Sequence, residues 1–234
     1  MQEVIRIDLN GVNCYLGKQD NKFILFDTGG HIVMDKQFNN RYDALIKQLN
    51  EYGCTSENLK LIVLTHGDND HAANAFALKK HFGAKIAIHE SDRALVETPD
   101  IDLVMKSFHY RNVIFKLIML VMKTQIRKIT VKTLEDYERF TPDIYLADGD
   151  SLNEYGFDAK IMHLPGHTLG SIAILTANGE FISGDTLANN GKPEMSPNAF
   201  DFALLKASVD RIKTQNIKTV LPGHGNPFEL KNLK

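Results

Sequence analysis

Cysteine is scarce: Cys14 and Cys54 are the two in 234 residues. They lie far apart and away from the histidine-rich segments, which excludes a disulfide framework and argues against a thiolate zinc site. Two reduced, structural thiols are the reading that follows. The stretch 1–10 carries acids and has no apolar core of the kind a secretory signal needs, so a cytoplasmic protein is expected. Low-complexity tracts and Pro/Ser-rich linkers are also missing, and the chain reads as one domain, 1–234, with an insertion at 101–134. Nor is there a charge excess: a net charge of -2 gives no global attraction to nucleic acid, which is not expected as a partner. The apolar (43%) and charged (24%) fractions exclude disordered and fibrous classes, and the length suffices to bury a large core.

What the chain does have is a repeated local design, in which an apolar strand runs straight into a loop bearing histidines or acids. Leu61 to Leu64 leads into Thr65-His66-Gly67-Asp68-Asn69-Asp70-His71. Ile161-Met162 leads through His163-Leu164-Pro165-Gly166 to His167, Phe181-Ile182-Ser183 through Gly184 to Asp185, and Val220-Leu221 through Pro222-Gly223 to His224. A fifth, Phe23 to Phe26, runs into Asp27-Thr28-Gly29-Gly30. Loops at the ends of rigid strands are where reactive groups are commonly held. Further strands are expected at 4–8, 13–16, 85–88, 144–146 and 172–175, and helices at 39–52, 72–82 and 203–214, with Gly53 and Gly83 marking two helix ends. Strands and helices are mixed in both halves, and each half donates such loops, so two similar layers meeting at a shared site are expected.

Four potential ligands fall within 66–71, too close for an ordinary helix to aim them all at one point. A tight loop, with Gly67 supplying backbone freedom, is the expected arrangement. His167, Asp185 and His224 would complete one or two coordination spheres. Imidazole and carboxylate without thiolate suit zinc, iron or manganese.

Taken in order, Asp27-Thr28-Gly29, the His/Asp loop at 66–71, Pro165-Gly166-His167-Thr168-Leu169-Gly170-Ser171, Gly184-Asp185-Thr186 and Pro222-Gly223-His224-Gly225 make the chain resemble the metallo-β-lactamase superfamily of metallohydrolases. The resemblance covers most of the chain. It implies an α/β fold, a four-layer αββα sandwich of two mixed sheets with the metal site at one edge. It implies two divalent ions, zinc ahead of iron or manganese: His66, Asp68 and His167 would hold the first, Asp70, His71 and His224 the second, with Asp185 bridging. The implied chemistry is metal-assisted hydrolysis, a metal-bound hydroxide attacking a small-molecule ester, thioester or lactone, with Asp70 orienting the nucleophile. Members of the family usually read His-x-His-x-Asp-His, and here Asp68 stands where the second histidine would be. The extra carboxylate makes the site more anionic and harder, which shifts the balance toward iron or manganese relative to zinc. The alternatives are a di-iron redox enzyme resembling the metal domain of flavodiiron proteins, a phosphodiester hydrolase and a non-catalytic metal-binding protein.

Outside those loops, Asp27 reads as a loop-bracing acid and His163 as a structural or supporting residue. His31, near the Gly29-Gly30 turn, reads as a surface loop histidine, with a place bordering the pocket as the alternative, and His81, His89 and His109 read as ordinary residues. Between Leu103 and Leu134 there is no acid, yet seven bases occur: Lys106, Arg111, Lys116, Lys123, Arg127, Lys128 and Lys132. Ile101, Met105, Phe108, Phe115, Met119, Met122 and Ile126 recur at helical spacing, as one apolar stripe would. Three roles compete for this insertion: a core or homodimer-forming helix, a lid whose bases attract an anionic substrate, and peripheral membrane contact.

Overall fold

The computed structural model describes residues 1–32 and 38–233, apart from the side chains of Ser107 and Phe108. Strands β1 (Gln2–Asp8), β2 (Asn13–Gln19) and β3 (Lys22–Phe26) open the chain. Helix α1 (Tyr42–Glu51), β4 (Leu59–Val63), α2 (Asn69–Ala72), α3 (Ala75–Phe82), β5 (Lys85–Ile88) and α4 (Arg93–Glu97) follow. The insertion contains α5 (Ile101–Val104), a 3-10 turn and α6 (Val113–Glu135). After β6 (Ile144–Tyr145) come β7 (Ala159–His163), β8 (Ile172–Thr176), β9 (Glu180–Gly184), β10 (Leu187–Ala188) and β11 (Glu194–Met195). Helix α7 (Phe202–Ile212), β12 (Thr219–Pro222) and β13 (Phe228–Glu229) complete the series.

Two mixed sheets carry the fold. The first has the order β1-β2-β3-β4-β5-β6, antiparallel from β1 to β3 and parallel from β3 to β6. The second has the order β13-β12-β9-β8-β7, with β12 and β9 parallel and the other pairs antiparallel. Strand β4 reads as a near-continuous apolar run because both of its faces are covered.

Three apolar clusters record the layering. In one, Leu45 and Leu49 of α1, Leu78 and Phe82 of α3 and Val96 of α4 pack on Leu16, Leu25 and Ile62 of the first sheet. In the next, Tyr15, Phe26 and Val63 of that sheet meet Ile161, Ile174 and Ile182 of the second. The last sets Val209 and Ile212 of α7 against Met162, Phe181 and Val220. Helix, sheet, sheet and helix are therefore stacked as the αββα arrangement requires. The sequence dictates the last layer simply: Leu205, Val209 and Ile212 repeat at four and three, and the Asp201 carboxylate caps the helix by accepting from Ala203 and Leu204 N–H.

Two expectations change. The 72–82 helix begins earlier, as the single turn α2, and is interrupted before Ala75, so Asp70 and His71 sit on a helical turn instead of a loop. The single stripe over 101–126 does not form. The chain breaks after the 3-10 turn and restarts at Asn112, whose side chain accepts from Ile114 N–H as a cap; Phe108 of that stripe has its side chain outside the described residues. On α6 the buried residues are Ile126, Thr130 and Thr133, while Val113, Ile114, Leu117 and Val121 are exposed. No helix among the described residues is long and apolar enough to cross a membrane.

Candidate metal centre

Strand ends position the cluster. His66 and Asp68 follow β4, Asp70 and His71 occupy α2, and His167, Asp185 and His224 follow β7, β9 and β12. The two sheets thus contribute from opposite sides. Gly67 is needed for close approach and not for an unusual backbone angle, since a Cβ there would lie 2.6 Å from Leu95 Cβ. At Gly223 a Cβ would come within 2.2 Å of Asp185 Oδ1, so only glycine lets the last loop reach the cluster.

All seven residues named from the sequence come together. Among the described residues, one ligand atom from each member of His66/Asp68/His167 lies within 4.8 Å of the others, and the same holds for Asp70/His71/His224 and for His66/His71/Asp185. Asp185 stands between the first two trios: its carboxylate is 3.3 Å from His71 Nε2, 3.1 Å from His224 Nε2 and 3.7 Å from His167 Nε2. Asp68 Oδ2 is 3.3 Å from His167 Nε2 and 3.9 Å from His66 Nε2, and Asp70 Oδ2 is 3.3 Å from His224 Nε2. His66 Nε2, His167 Nε2, Asp68 Oδ1 and Asp185 Oδ1 are buried without a hydrogen bond. Buried polar atoms are rarely left unsatisfied, so four such atoms within these overlapping trios fit divalent cations, and the nitrogen and oxygen donors suit zinc, iron or manganese.

The opposite edge of each imidazole is held by the protein. His71 Nδ1 is 2.9 Å from Asp27 Oδ2, His66 Nδ1 3.0 Å from Thr65 Oγ1, His167 Nδ1 3.2 Å from the Asn198 carbonyl and His224 Nδ1 2.5 Å from the Gly11 carbonyl. Such contacts fix ring orientation and leave Nε2 facing the cluster. Asp27 also accepts from Thr65 N–H and Oγ1–H, and does so from φ 60, a strained conformation for a non-glycine residue.

Electrostatics agree with a cation-seeking site. Burial alone would lower the basicity of His71, His167 and His224, but the carboxylates outweigh it: His71 and His224 are raised well above the usual range and His167 is pushed up to about 9. His66, buried beside His71 and His167, moves well below it. Burial would raise Asp70 and Asp185, yet the surrounding imidazoles hold Asp70 down to about 2 and Asp185 lower than its ordinary range. Protons and metal ions compete for the same atoms, so metal affinity rises with pH.

Sequence reasoning missed several residues. Asp92, buried, accepts from Gly67 N–H at 2.9 Å, Thr168 Oγ1–H at 2.7 Å and Gly170 N–H at 2.7 Å, tying two ligand loops together. Burial pushes its carboxyl up to about 6 despite those donors. Nothing around Ser91-Asp92 signals this, because its partners are distant in sequence. His31 departs from the surface role expected of it: it is buried, 2.6 Å from Asp136 Oδ2, and borders the cavity over the cluster. His163 contacts the Leu169 carbonyl and stacks on His89 at 3.8 Å, so His89 does have a partner. The cavity, of about 260 Å³, is lined in part by Val104, Tyr110, Thr130 and Thr133 of the insertion.

The profile described as the metallo-beta-lactamase superfamily matches residues 7–224. Hydroxyacylglutathione hydrolase GloC of Haemophilus influenzae is 27% identical over 96% of this chain and 90% of its own length. Human acyl-coenzyme A thioesterase MBLAC2 is 23% identical over 68% of this chain and 58% of its own length. Among solved structures, the BLEG-1 B3 metallo-beta-lactamase superposes with a TM-score of 0.70 at 22% identity, covering 99% of this chain and 95% of that one. That likeness speaks for the fold alone.

Proposed function

The chain belongs to the metallo-beta-lactamase superfamily and is a hydrolase of that fold, and from this footing we propose that it hydrolyses a small-molecule thioester at a two-metal site. The observation carrying the proposal is the convergence of seven imidazole and carboxylate side chains whose inward atoms are held for ligation. His66, Asp68 and His167 would hold one ion, Asp70, His71 and His224 the other, and Asp185 both. Thioesters are favoured over esters and lactones because one relative is named an acyl-coenzyme A thioesterase and another a hydroxyacylglutathione hydrolase, and an acyl group on glutathione sulfur is a thioester. Divalent ions, when bound, supply a Lewis acid and a lowered water pKa.

The chain's own residues supply the rest. Asp70 presents a carboxylate at the cavity wall, where it can orient the attacking water, accept its proton and pass that proton toward the departing sulfur. Thiolate is a good leaving group, so little proton transfer is demanded there. His31, Ile32 and Val104 narrow the cavity and restrict bulk water. Burial, together with the charges of Asp70 and Asp185, raises the Tyr110 phenol, which therefore stays protonated as a hydrogen-bond donor at the cavity wall.

Residues 1–234 form one domain in this reading, with 101–134 as its cover, and the apolar outer face of α6 meets a second copy. Nucleic acid has no part in it. A cytoplasmic setting suits two free, buried thiols, with burial pushing Cys54 up to about 12. The test is metal analysis of protein purified without added metal, followed by a thioester, ester and lactone panel. Two equivalents of zinc, iron or manganese and thioester turnover abolished by Asp70→Ala, His71→Ala or Asp185→Ala are expected. Full activity in any of the three variants would overturn the assignment.

A further inference from the structure

A second cavity, of about 570 Å³, lies beside the first, between α5, the 3-10 turn and the first half of α6. Lys106, Lys116 and Lys123 line it together with Tyr110, Met119 and Leu120, an ammonium-rich wall with apolar surface between the charges. Phe202 at the start of α7 and Met105 close it, and Lys106 Nζ stands 5.8 Å from the Phe200 ring. Among the described residues Asp102 is the one acid on the lining; its carboxylate is paired with Arg127 at 2.6 Å and also faces Lys123 and Lys106, so the lining keeps a net positive charge. His109 adds a further nitrogen.

Tyr110 lines both cavities and is the wall they share. Its backbone is clipped in place: Tyr110 bridges Asn198, Arg111 N–H donates to the Pro197 carbonyl at 3.0 Å, and Ala199 N–H donates to the His109 carbonyl at 2.9 Å. Asn198 also holds His167 through its carbonyl. One short clip therefore sets the distance between the ligand cluster and the lysines.

We propose that this second cavity seats the phosphate-bearing leaving group of the thioester, its acyl carbonyl at the ligand cluster and its thiol arm running past Tyr110. The inference rests on the thioesterase reading above. Lysine is a point-charge phosphate binder, and three of them suit several phosphate charges better than an isolated carboxylate. The apolar and aromatic part of the wall, Met119, Leu120 and Phe202, suits a nucleobase or pantetheine-like stem, and the volume falls in the range of small-molecule sites, roughly 300–1,000 Å³.

The test compares one short acyl group carried by coenzyme A, by glutathione and by N-acetylcysteamine, using the metal-loaded enzyme and its Lys116→Glu/Lys123→Glu variant. The coenzyme A thioester should exceed the other two in kcat/KM by tenfold or more, about 1.4 kcal/mol for each factor of ten. That advantage should shrink with added salt and collapse in the variant. Calorimetric titration of coenzyme A should give binding to the enzyme and at least a tenfold loss in the variant. Equal kcat/KM for the three carriers, a preference for glutathione, or an undiminished preference in the variant overturns the proposal. If no thioester is cleaved, the thioesterase reading fails and calorimetry still decides the cavity: variant-sensitive binding of coenzyme A upholds a phosphate site, and no binding overturns it.

Discussion

Asp92 shows how far a single side chain outside the ligand set controls the site. Its carboxylate satisfies Gly67 N–H, Gly170 N–H and the Thr168 hydroxyl, and so joins the loop after β4 to the loop after β7. Removing the acceptor leaves the Gly67 and Gly170 N–H groups buried without partners, each costing on the order of 1–3 kcal/mol, and leaves the Thr168 hydroxyl only Ser171 Oγ at 2.8 Å. Asp92→Ala should therefore lower stability in urea by about 3 kcal/mol or more and weaken metal affinity by about 10- to 100-fold, as loss of an outer support does. Asp92→Asn, which keeps one acceptor, should fall between. Native affinity in Asp92→Ala would show that the two loops hold themselves. The seven candidate ligands were legible in the sequence because each follows a strand in a recognisable motif. Asp92 was not, since burial and three non-local donors give it its role. His31 was misread for the same reason: its neighbour in space, Asp136, is 105 positions away.

At the scale of elements, the strand-to-loop units were readable because apolar runs and the glycines at 53 and 83 punctuate them. Helix α6 was only half readable. Its periodicity predicts one apolar stripe, whereas the first half of the helix is apolar nearly all round, and the stripe model cannot say which side faces the body. Val113, Ile114, Leu117 and Val121, exposed by 68%, 67%, 58% and 85%, share an arc of about 100° at the 100° step of an α-helix. Lys116 and Lys123 line the cavity on a different side, so the outer face carries little charge in this segment. Exposed apolar clusters of this kind mark contact surfaces. In solution the protein should sediment as a dimer, and Leu117→Glu/Val121→Glu should shift it to a monomer with its helical content retained. A native monomer, or a dimer indifferent to both substitutions, would count against α6 as the contact.

For the molecule as a whole, the site is a seam between sheets. His66, Asp68, Asp70 and His71 come from the first sheet, and His167, Asp185 and His224 from the second. Protein contacts already brace the seam: Asn13 Nδ2–H donates to the Pro222 and Gly225 carbonyls, both at 2.8 Å, Tyr15 O–H to the Pro222 carbonyl at 2.7 Å, and Ile172 N–H to the Thr65 carbonyl at 2.8 Å. A two-layer packing was legible in the sequence from the mixture of elements in each half, but this bracing was not, because Asn13 and Tyr15 sit in an otherwise ordinary strand. Three carboxylates brought together at the seam repel one another, and cations that bind only the folded state stabilise it by mass action, about 4 kcal/mol at a thousandfold excess over Kd. Chelation should therefore lower the Tm, and restoring zinc or manganese should recover it. His224→Ala tests where those ions sit. It deletes the second sheet's nitrogen ligand to the Asp70/His71 trio, leaves the Asn13 and Tyr15 bonds to the backbone intact and removes the imidazole that pairs with Asp70, Asp185 and the Gly11 carbonyl, so its chelated form should melt below the chelated native protein. Its metal-dependent rise in Tm should be smaller. An undiminished rise would place the stabilising ions elsewhere than at this seam.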